Sequence, residues 1–243
     1  MEGYNFYMIT LDRCQERRNK MYELYDKDHL KVVDAYDGDK LDTYTDIVLP
    51  NKRRLLKPGE YGCSLSHIKA IKQAFDNGDH EAFIIEDDMH NIYSHLWDKS
   101  LKDVIDNSPE KTECIVFYTS NPAIIKKFGQ KPKQDYMLCK WTWSTGCYFI
   151  NRGGMKRILK KYVKDGKIDL SHAERRLDIV ADGDLLYKQM RSYFYTKPTF
   201  IDCCEESIIH PNHIKLHKKN HSYVVEYFKK KQNKHNSESI VRQ

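Results

Sequence analysis

Apolar positions along this chain fall into short runs separated by longer amphipathic stretches, the pattern of strands alternating with helices. Tyr4 to Leu11 predicts a first strand. A charged helix follows from Arg13 to about Asp26, with Asp12 as its cap. Leu30 to Asp34 predicts a second strand and Asp37-Gly38-Asp39 a loop. Pro58 is suited to the first turn of a helix. From there to Phe75, Leu65, Ile68, Ile71 and Phe75 keep helical spacing, until Asn77-Gly78 stops them. Ala82-Phe83-Ile84-Ile85 reads as a buried strand. A helix is expected over Tyr93–Ile105, a strand over Cys114–Tyr118 and a loop over Gly129–Gln134. Cys147–Ile150 predicts a strand running into a helix capped by Asn151, with Met155, Ile158, Leu159, Tyr162 and Val163 as its core stripe. A short helix near Leu185–Met190 and a strand near Tyr193–Tyr195 complete the pattern. Alternation of this kind predicts a single α/β domain with a mostly parallel central sheet flanked by helices. The domain is expected over residues 1–214, and residues 215–243 read as a basic tail, a solvated helix giving way to disorder.

One strand ends unlike the others. Glu86-Asp87-Asp88 follows Ile85 directly. Three carboxylates at the end of an apolar strand must take up protons or meet a cation. Ligands of open α/β sheets bind beyond the carboxyl ends of strands. Alternation lets Glu86 and Asp88 share a face while Asp87 points away. That arrangement suits a hard divalent cation held against a phosphate-bearing substrate. An acidic turn is the simpler account of such a tripeptide taken alone.

Composition narrows the classes. With 243 residues, 40% hydrophobic and 12% aromatic, the chain can bury a real core. The net charge of +6 fits anionic substrates without establishing nucleic-acid binding, and no aromatic-interleaved RNA motif is present. No apolar run reaches membrane-spanning length. The start MEGYNFYMITLDR lacks a basic, apolar leader. Seven cysteines with irregular spacing and no C-x-x-C pair read as mostly reduced, buried thiols. These features predict a cytoplasmic protein, or a piece of a longer chain, and the Lys, Asn, Tyr and Ile bias suggests a microbial or viral source.

Between Leu56 and Asp88 the chain reads LKPGEYGCSLSHIKAIKQAFDNGDHEAFIIEDD. This block resembles glycosyltransferase family 25, the lipopolysaccharide and procollagen galactosyltransferases. Pro58, Gly59, Glu60, Gly62, Cys63, Ser66, His67, Glu86, Asp87 and Asp88 match its signature helix and acidic strand end. The opening MITLDRCQERRNKM, the pairs Asp34-Ala35 and Asp37-Gly38, and Thr145 to Gly154 resemble further family segments. The resemblance runs over about residues 4–207, dense from 56 to 88 and thin from 89 to 140. It implies a GT-A type fold, a UDP-sugar donor carrying galactose or glucose, Mn²⁺ or Mg²⁺, and inversion at the anomeric carbon. The acceptor is left open among a glycan, a glycolipid and a protein hydroxyl.

On that reading Asp88 is the first metal ligand and Glu86 the second, with His210 a late contact to metal or diphosphate. Leu11, Arg13, Arg17, Asp34, Asp37, Glu86 and Asp87 would bind the donor. Arg13 would stack on uracil or pair with phosphate, and Asp87 would orient the ribose or brace its neighbours. The general base is expected at Asp182 or Asp184, with Asp184 ahead because it directly precedes Leu185-Leu186. Either residue would serve equally as a helix cap. Gly62 and Cys63 read as small residues for close packing, His67 as a hydrogen-bonded core histidine, and Trp141 with Trp143 as core or a stacking wall for an acceptor sugar. A metal-dependent phosphohydrolase or a non-catalytic binding domain of the same fold are the competing readings. The first lacks the further His/Asp clusters of a two-metal site, and the intact acidic triplet argues against the second.

Overall fold

A computed structural model describes residues 3–51, 55–130, 134–203 and 214–240. Seven strands form the central sheet. In chain order they are β1 (Asn5–Thr10), β2 (Leu30–Asp34), β4 (Glu81–Glu86), β6 (Cys114–Val116), β7 (Tyr136–Cys139), β8 (Cys147–Asn151) and β11 (Ser192–Tyr195), and their spatial order is β2-β1-β4-β8-β6-β11-β7. Neighbours pair parallel at β2–β1, β1–β4 and β6–β11, and antiparallel at β4–β8, β8–β6 and β11–β7. Five of the seven strands therefore run one way, and only β8 and β7 run against them. The molecule is α/β with a mostly parallel sheet, as the alternating pattern predicts.

Strand residues alternate between two buried faces, which is why the runs are apolar throughout. On one face Tyr7, Ile84, Val116 and Tyr148 pack against α2 (Pro58–Asp76) and α5 (Arg152–Tyr162) through Leu65, Ile68, Met155 and Ile158. On the other, Phe6, Met8, Phe83, Ile85 and Phe149 meet Met21 of α1 (Gln15–Leu24) and Val104 of α3 (Leu101–Asp106).

Register sets the site. Thr10 is level with Asp34, and Ile9 with Glu86, so three parallel strands end together at one edge. Two small sheets flank this frame. One joins β3 (Ile47–Val48), β10 (Lys167–Asp169) and β9 (Val163–Lys164). The other pairs β5 (Met89–His90) with β12 (Ile201–Asp202) and sets Asp202 opposite Met89, beside the acidic triplet.

Several elements differ from the sequence expectation. Helix α1 begins at Gln15, and its cap position is Cys14 rather than Asp12. The single helix expected over Tyr93–Ile105 is broken into a turn at Ser94–Leu96 and α3, because Ser100 and Asp103 form a capping box that starts a new helix. A helix α4 (Pro122–Gln130) stands just before the expected loop, started by Asn121, whose side chain accepts from the Ala123 amide. No helix forms over Leu185–Met190; Ala181–Leu185 is one wide turn, broken at Gly183. The basic segment forms α6 (Ile214–Ile240), whose Val224 and Phe228 pack on Leu96 and Ile201. Three of the described cysteines are buried (Cys114, Cys139, Cys147) and all six are free thiols.

Candidate functional site

A cleft of about 350 Å³ opens beyond the ends of β1, β2 and β4. Leu11, Arg13 and Arg17 line one side, Tyr36 to Asp39 another, and the first turns of α2 a third. Glu86, Asp87 and Asp88 form its floor. Helix α2 can approach this closely because two glycines meet there. A methyl group on Gly62 would lie 2.5 Å from the Tyr36 carbonyl, and one on Gly38 would collide with the Pro58 carbonyl. Pro58 occupies the first turn, and the Glu60 carboxylate accepts from the Lys57 amide at 2.8 Å. The positive end of α2 thus faces the cleft and favours an anion.

The acidic triplet is braced unevenly. Asp87 is buried; it accepts from the Thr10 hydroxyl at 2.7 Å and pairs with Arg17 at 3.4 Å. Burial raises its pKa although Thr10 and Arg17 oppose the shift. Asp88 lies 3.9 Å from Arg17 and is 28% exposed, yet its Oδ1 is buried with no hydrogen-bond partner. Burial, then the charges of Glu86 and Asp87, push its carboxyl far above the usual range, and Asp202 adds to the effect. Asp202 is itself buried, accepts from the Tyr118 hydroxyl at 2.6 Å and faces His221 Nδ1 at 3.3 Å. Glu86 accepts from the Thr145 hydroxyl at 2.7 Å and faces His67 Nε2 at 3.4 Å. An orphaned buried carboxylate oxygen among like charges is the environment a hard divalent cation would relieve, and Asp88 and Glu86 are the residues that would offer it oxygen ligands.

A softer donor set lies next to it. Cys63, His67 and Glu86 bring one ligand atom each within 4.8 Å of one another. Burial, then Glu86 and Asp182, lift the Cys63 thiol well above its ordinary range. Hard divalent cations take oxygen ligands, and of these three side chains only Glu86 supplies one. His67 is buried, with Nδ1 3.2 Å from the Tyr148 hydroxyl.

The structure brings most of the sequence-predicted residues together. Leu11, Arg13, Arg17, Asp37, Glu86, Asp87 and Asp88 share the cleft. Arg13 is tied to Asp37. Burial would raise Asp37, but the Asp39 amide and Arg13 outweigh it and hold its carboxyl below the usual range. Arg17 braces the carboxylates from outside the sheet edge. Asp34 stands apart: its side chain is 77% exposed and lies 3.8 Å from Arg18. His210 falls outside the described residues.

The two base candidates separate. Neither Asp182 nor Asp184 lines the cleft, and Asp184 is engaged by Lys188 at 2.6 Å. Asp182 is electrostatically coupled to Glu86 and Glu60. Burial pushes its pKa up to about 6, with Arg176 pulling the other way. Arg176 is held by Glu60 at 2.5 Å. Sequence reasoning did not find Asp202, Thr145 or the Arg176–Glu60 pair. Asp202 comes to the site through the β5–β12 pairing, which leaves no local signal; Glu60 and Thr145 stand in the family-like segments and carried no assigned role.

Comparison with known proteins fits this geometry. The family model for glycosyltransferase family 25 (LPS biosynthesis protein) matches residues 4–171. Human procollagen galactosyltransferase 2 is 34% identical over 116 residues, covering 42% of this chain and 18% of that protein. A glycosyltransferase 25 family member of Aedes aegypti is 31% identical over 180 residues, covering 65% of this chain and 28% of that protein. The chain thus spans less than a third of the length of these curated relatives. Among solved structures, a glycosyltransferase involved in glycosylation of the major capsid of PBCV-1 aligns with a TM-score of 0.46 at 10% identity, over 88% of this chain and 98% of that one. The match over residues 4–171, which contains the whole cleft floor and its signature helix, shows that the chain belongs to glycosyltransferase family 25.

Proposed function

We propose that this chain is a metal-dependent inverting glycosyltransferase of GT-A type that moves a hexose from a UDP-sugar to an acceptor hydroxyl. The observation that carries the reading is Asp88: a buried carboxylate oxygen with no hydrogen-bond partner among the described residues, set among Glu86, Asp87 and Asp202 in a residue that lines the same cleft as the first turn of α2. Galactose is the favoured sugar because the matched human relative is named as a galactosyltransferase. The acceptor is a glycan, a glycolipid or a protein.

Asp88 and Glu86 would hold Mn²⁺ or Mg²⁺, which when bound supplies Lewis-acid stabilisation of the departing diphosphate. The amides opening α2 add positive potential on the same side. Arg13 and Arg17 stand where the nucleotide would lie, each already oriented by a carboxylate. Asp182 is the base: it takes the proton of the attacking acceptor hydroxyl. A carboxyl titrating near 6 is ionised at neutral pH and is a stronger proton acceptor than an ordinary aspartate. His67 and Thr145 fix the orientation of Glu86.

Calorimetric titration of UDP in Mn²⁺ and in EDTA tests the reading, together with product analysis from UDP-galactose by proton NMR. Tight UDP binding only with the cation, weakened at least tenfold in Asp88→Ala, is the expected result. UDP affinity indifferent to Mn²⁺ would remove the metal assignment, and a product retaining the donor's anomeric configuration would remove inversion.

A further inference from the structure

We infer that Trp141 and Trp143 form a stacking subsite for a sugar ring of the acceptor, so that the acceptor is a carbohydrate. Both indoles are about half exposed, at 51% and 49%, in a molecule that buries most of its large aromatic side chains. Their ring centroids are 6.5 Å apart with planes inclined at 43°, so two exposed indoles stand side by side as a tilted pair.

The loop carrying them is pinned on its inner side. The Thr142 side chain is buried against the Thr119 hydroxyl at 2.5 Å, and the Thr142 amide donates to the Asp182 carbonyl at 3.1 Å. The Trp143 carbonyl accepts from Ser120 at 3.0 Å, and the Ser144 carbonyl from the Tyr187 hydroxyl at 3.2 Å. Two residues on, Thr145 donates to Glu86. Bonds at Thr142, Trp143, Ser144 and Thr145 therefore anchor the loop, and the two indoles stay exposed on this pinned base. The same loop is bonded to the backbone of the proposed base at one end and to the carboxylate floor at the other.

Fixed, exposed aromatic faces suit a flat ligand with apolar C–H faces and a polar rim, the shape of a pyranose ring. An extended peptide would instead need an open strand edge or a long groove. Two indoles on one short, anchored loop offer neither. This inference rests on the transferase reading for its meaning, since it makes the ring beside Asp182 the acceptor, but the stacking can be measured without turnover.

The probe is methyl β-galactoside, with methyl β-glucoside and lactose beside it, titrated against the full chain by tryptophan fluorescence. The third tryptophan, Trp97, is partly buried against Phe200, so a response to sugar reports the exposed pair. Saturable quenching by at least one of these sugars, lost in the Trp141→Ala/Trp143→Ala double variant while that variant keeps its UDP affinity, is expected. With UDP-galactose present, each single alanine variant should raise the acceptor KM by about tenfold, with Trp→Phe variants restoring part of the loss. Absence of saturable quenching by all three sugars, or an unchanged acceptor KM in the double variant, overturns the subsite. Transfer to a hydroxylysine peptide with no response to the sugars also overturns it. Failure of UDP binding in the wild-type chain counts against the transferase reading, while the sugar titration still decides the stacking.

Discussion

Burial lifts Asp182 to about 6 while its neighbour Asp184 sits in an ion pair with Lys188. Two residues apart in sequence, they differ because Ala181–Leu185 is a wide turn broken at Gly183 rather than a helix. Sequence named the pair and put Asp184 ahead from its place before Leu185-Leu186, but the environments of the two depend on that turn. The sign of the pH effect follows from the direction of the shift. The folded chain keeps a proton on Asp182 that the unfolded chain releases at lower pH. Asp182 therefore favours the folded state fully only below the ordinary aspartate range, and this contribution is lost as pH rises to about 6. At pH 8 the ionised, buried carboxylate is a cost. Asp182→Asn removes it, so the variant should melt higher than wild type at pH 8, by on the order of 1–3 kcal/mol, and show little gain at pH 4. Turnover should fall by roughly 10²- to 10⁴-fold in the same variant. In the wild type, kcat/KM should drop below about pH 6 as the base is protonated. Asp184→Asn should keep the wild-type pH profile; a profile that shifts there, and not at Asp182, would exchange their roles.

At the scale of elements, α2 and α6 make contrasting demands. Helix α2 was legible because its signals are local: Pro58 at the start, a helical apolar stripe, and Asn77-Gly78 at the end. Its two glycine contacts are what hold its first turn to the cleft. Gly62→Ala should cost about 1–3 kcal/mol by overpacking against the Tyr36 carbonyl, and should weaken UDP binding because the wall carrying Pro58 and Gly59 must move. A variant with unchanged melting temperature and UDP affinity would show that the wall gives way freely. Helix α6 reads as a charged tail because, among its described residues, Asn220, Val224 and Phe228 are the buried ones, too sparse a stripe to stand out among so many lysines. Phe228 stacks on Tyr93 with centroids 4.5 Å apart, and Lys231 reaches Asp98 at 2.6 Å. Phe228→Ala should detach the helix locally. Hydrogen exchange over residues 218–231 should then speed up by about 100-fold, for a loss of roughly 3 kcal/mol, while β1 and β4 stay protected. Uniform acceleration across the sheet would mean that α6 is part of the global folding unit.

For the whole molecule, the parallel half of the sheet was readable from its continuous apolar runs, and with it the edge where β1, β2 and β4 end together. The antiparallel insertion of β8 between β4 and β6, and the edge strand β7, depend on long-range pairing that no local run of residues encodes. The same is true of Asp202, which the fold carries to the acidic triplet from more than a hundred residues away. That convergence sets the charge of Asp202 against Asp88 beside Glu86 and Asp87, with Arg17 3.9 Å away as an opposing charge. Burial and the neighbouring carboxylates raise the Asp88 carboxyl well above its ordinary range. A cation held there, as proposed, would compete with protons for the carboxylates, so its affinity should rise with pH. Stability should follow by mass action: at a Mn²⁺ concentration of 100 times its Kd the gain is about 2.7 kcal/mol. Thermal melts with and without Mn²⁺ should therefore show a larger upward shift at pH 8 than at pH 6. In Asp88→Asn, Mn²⁺ should no longer raise the melting temperature. A variant still stabilised by Mn²⁺ as strongly as wild type would move the cation site to other residues, with the Cys63, His67 and Glu86 group next in line.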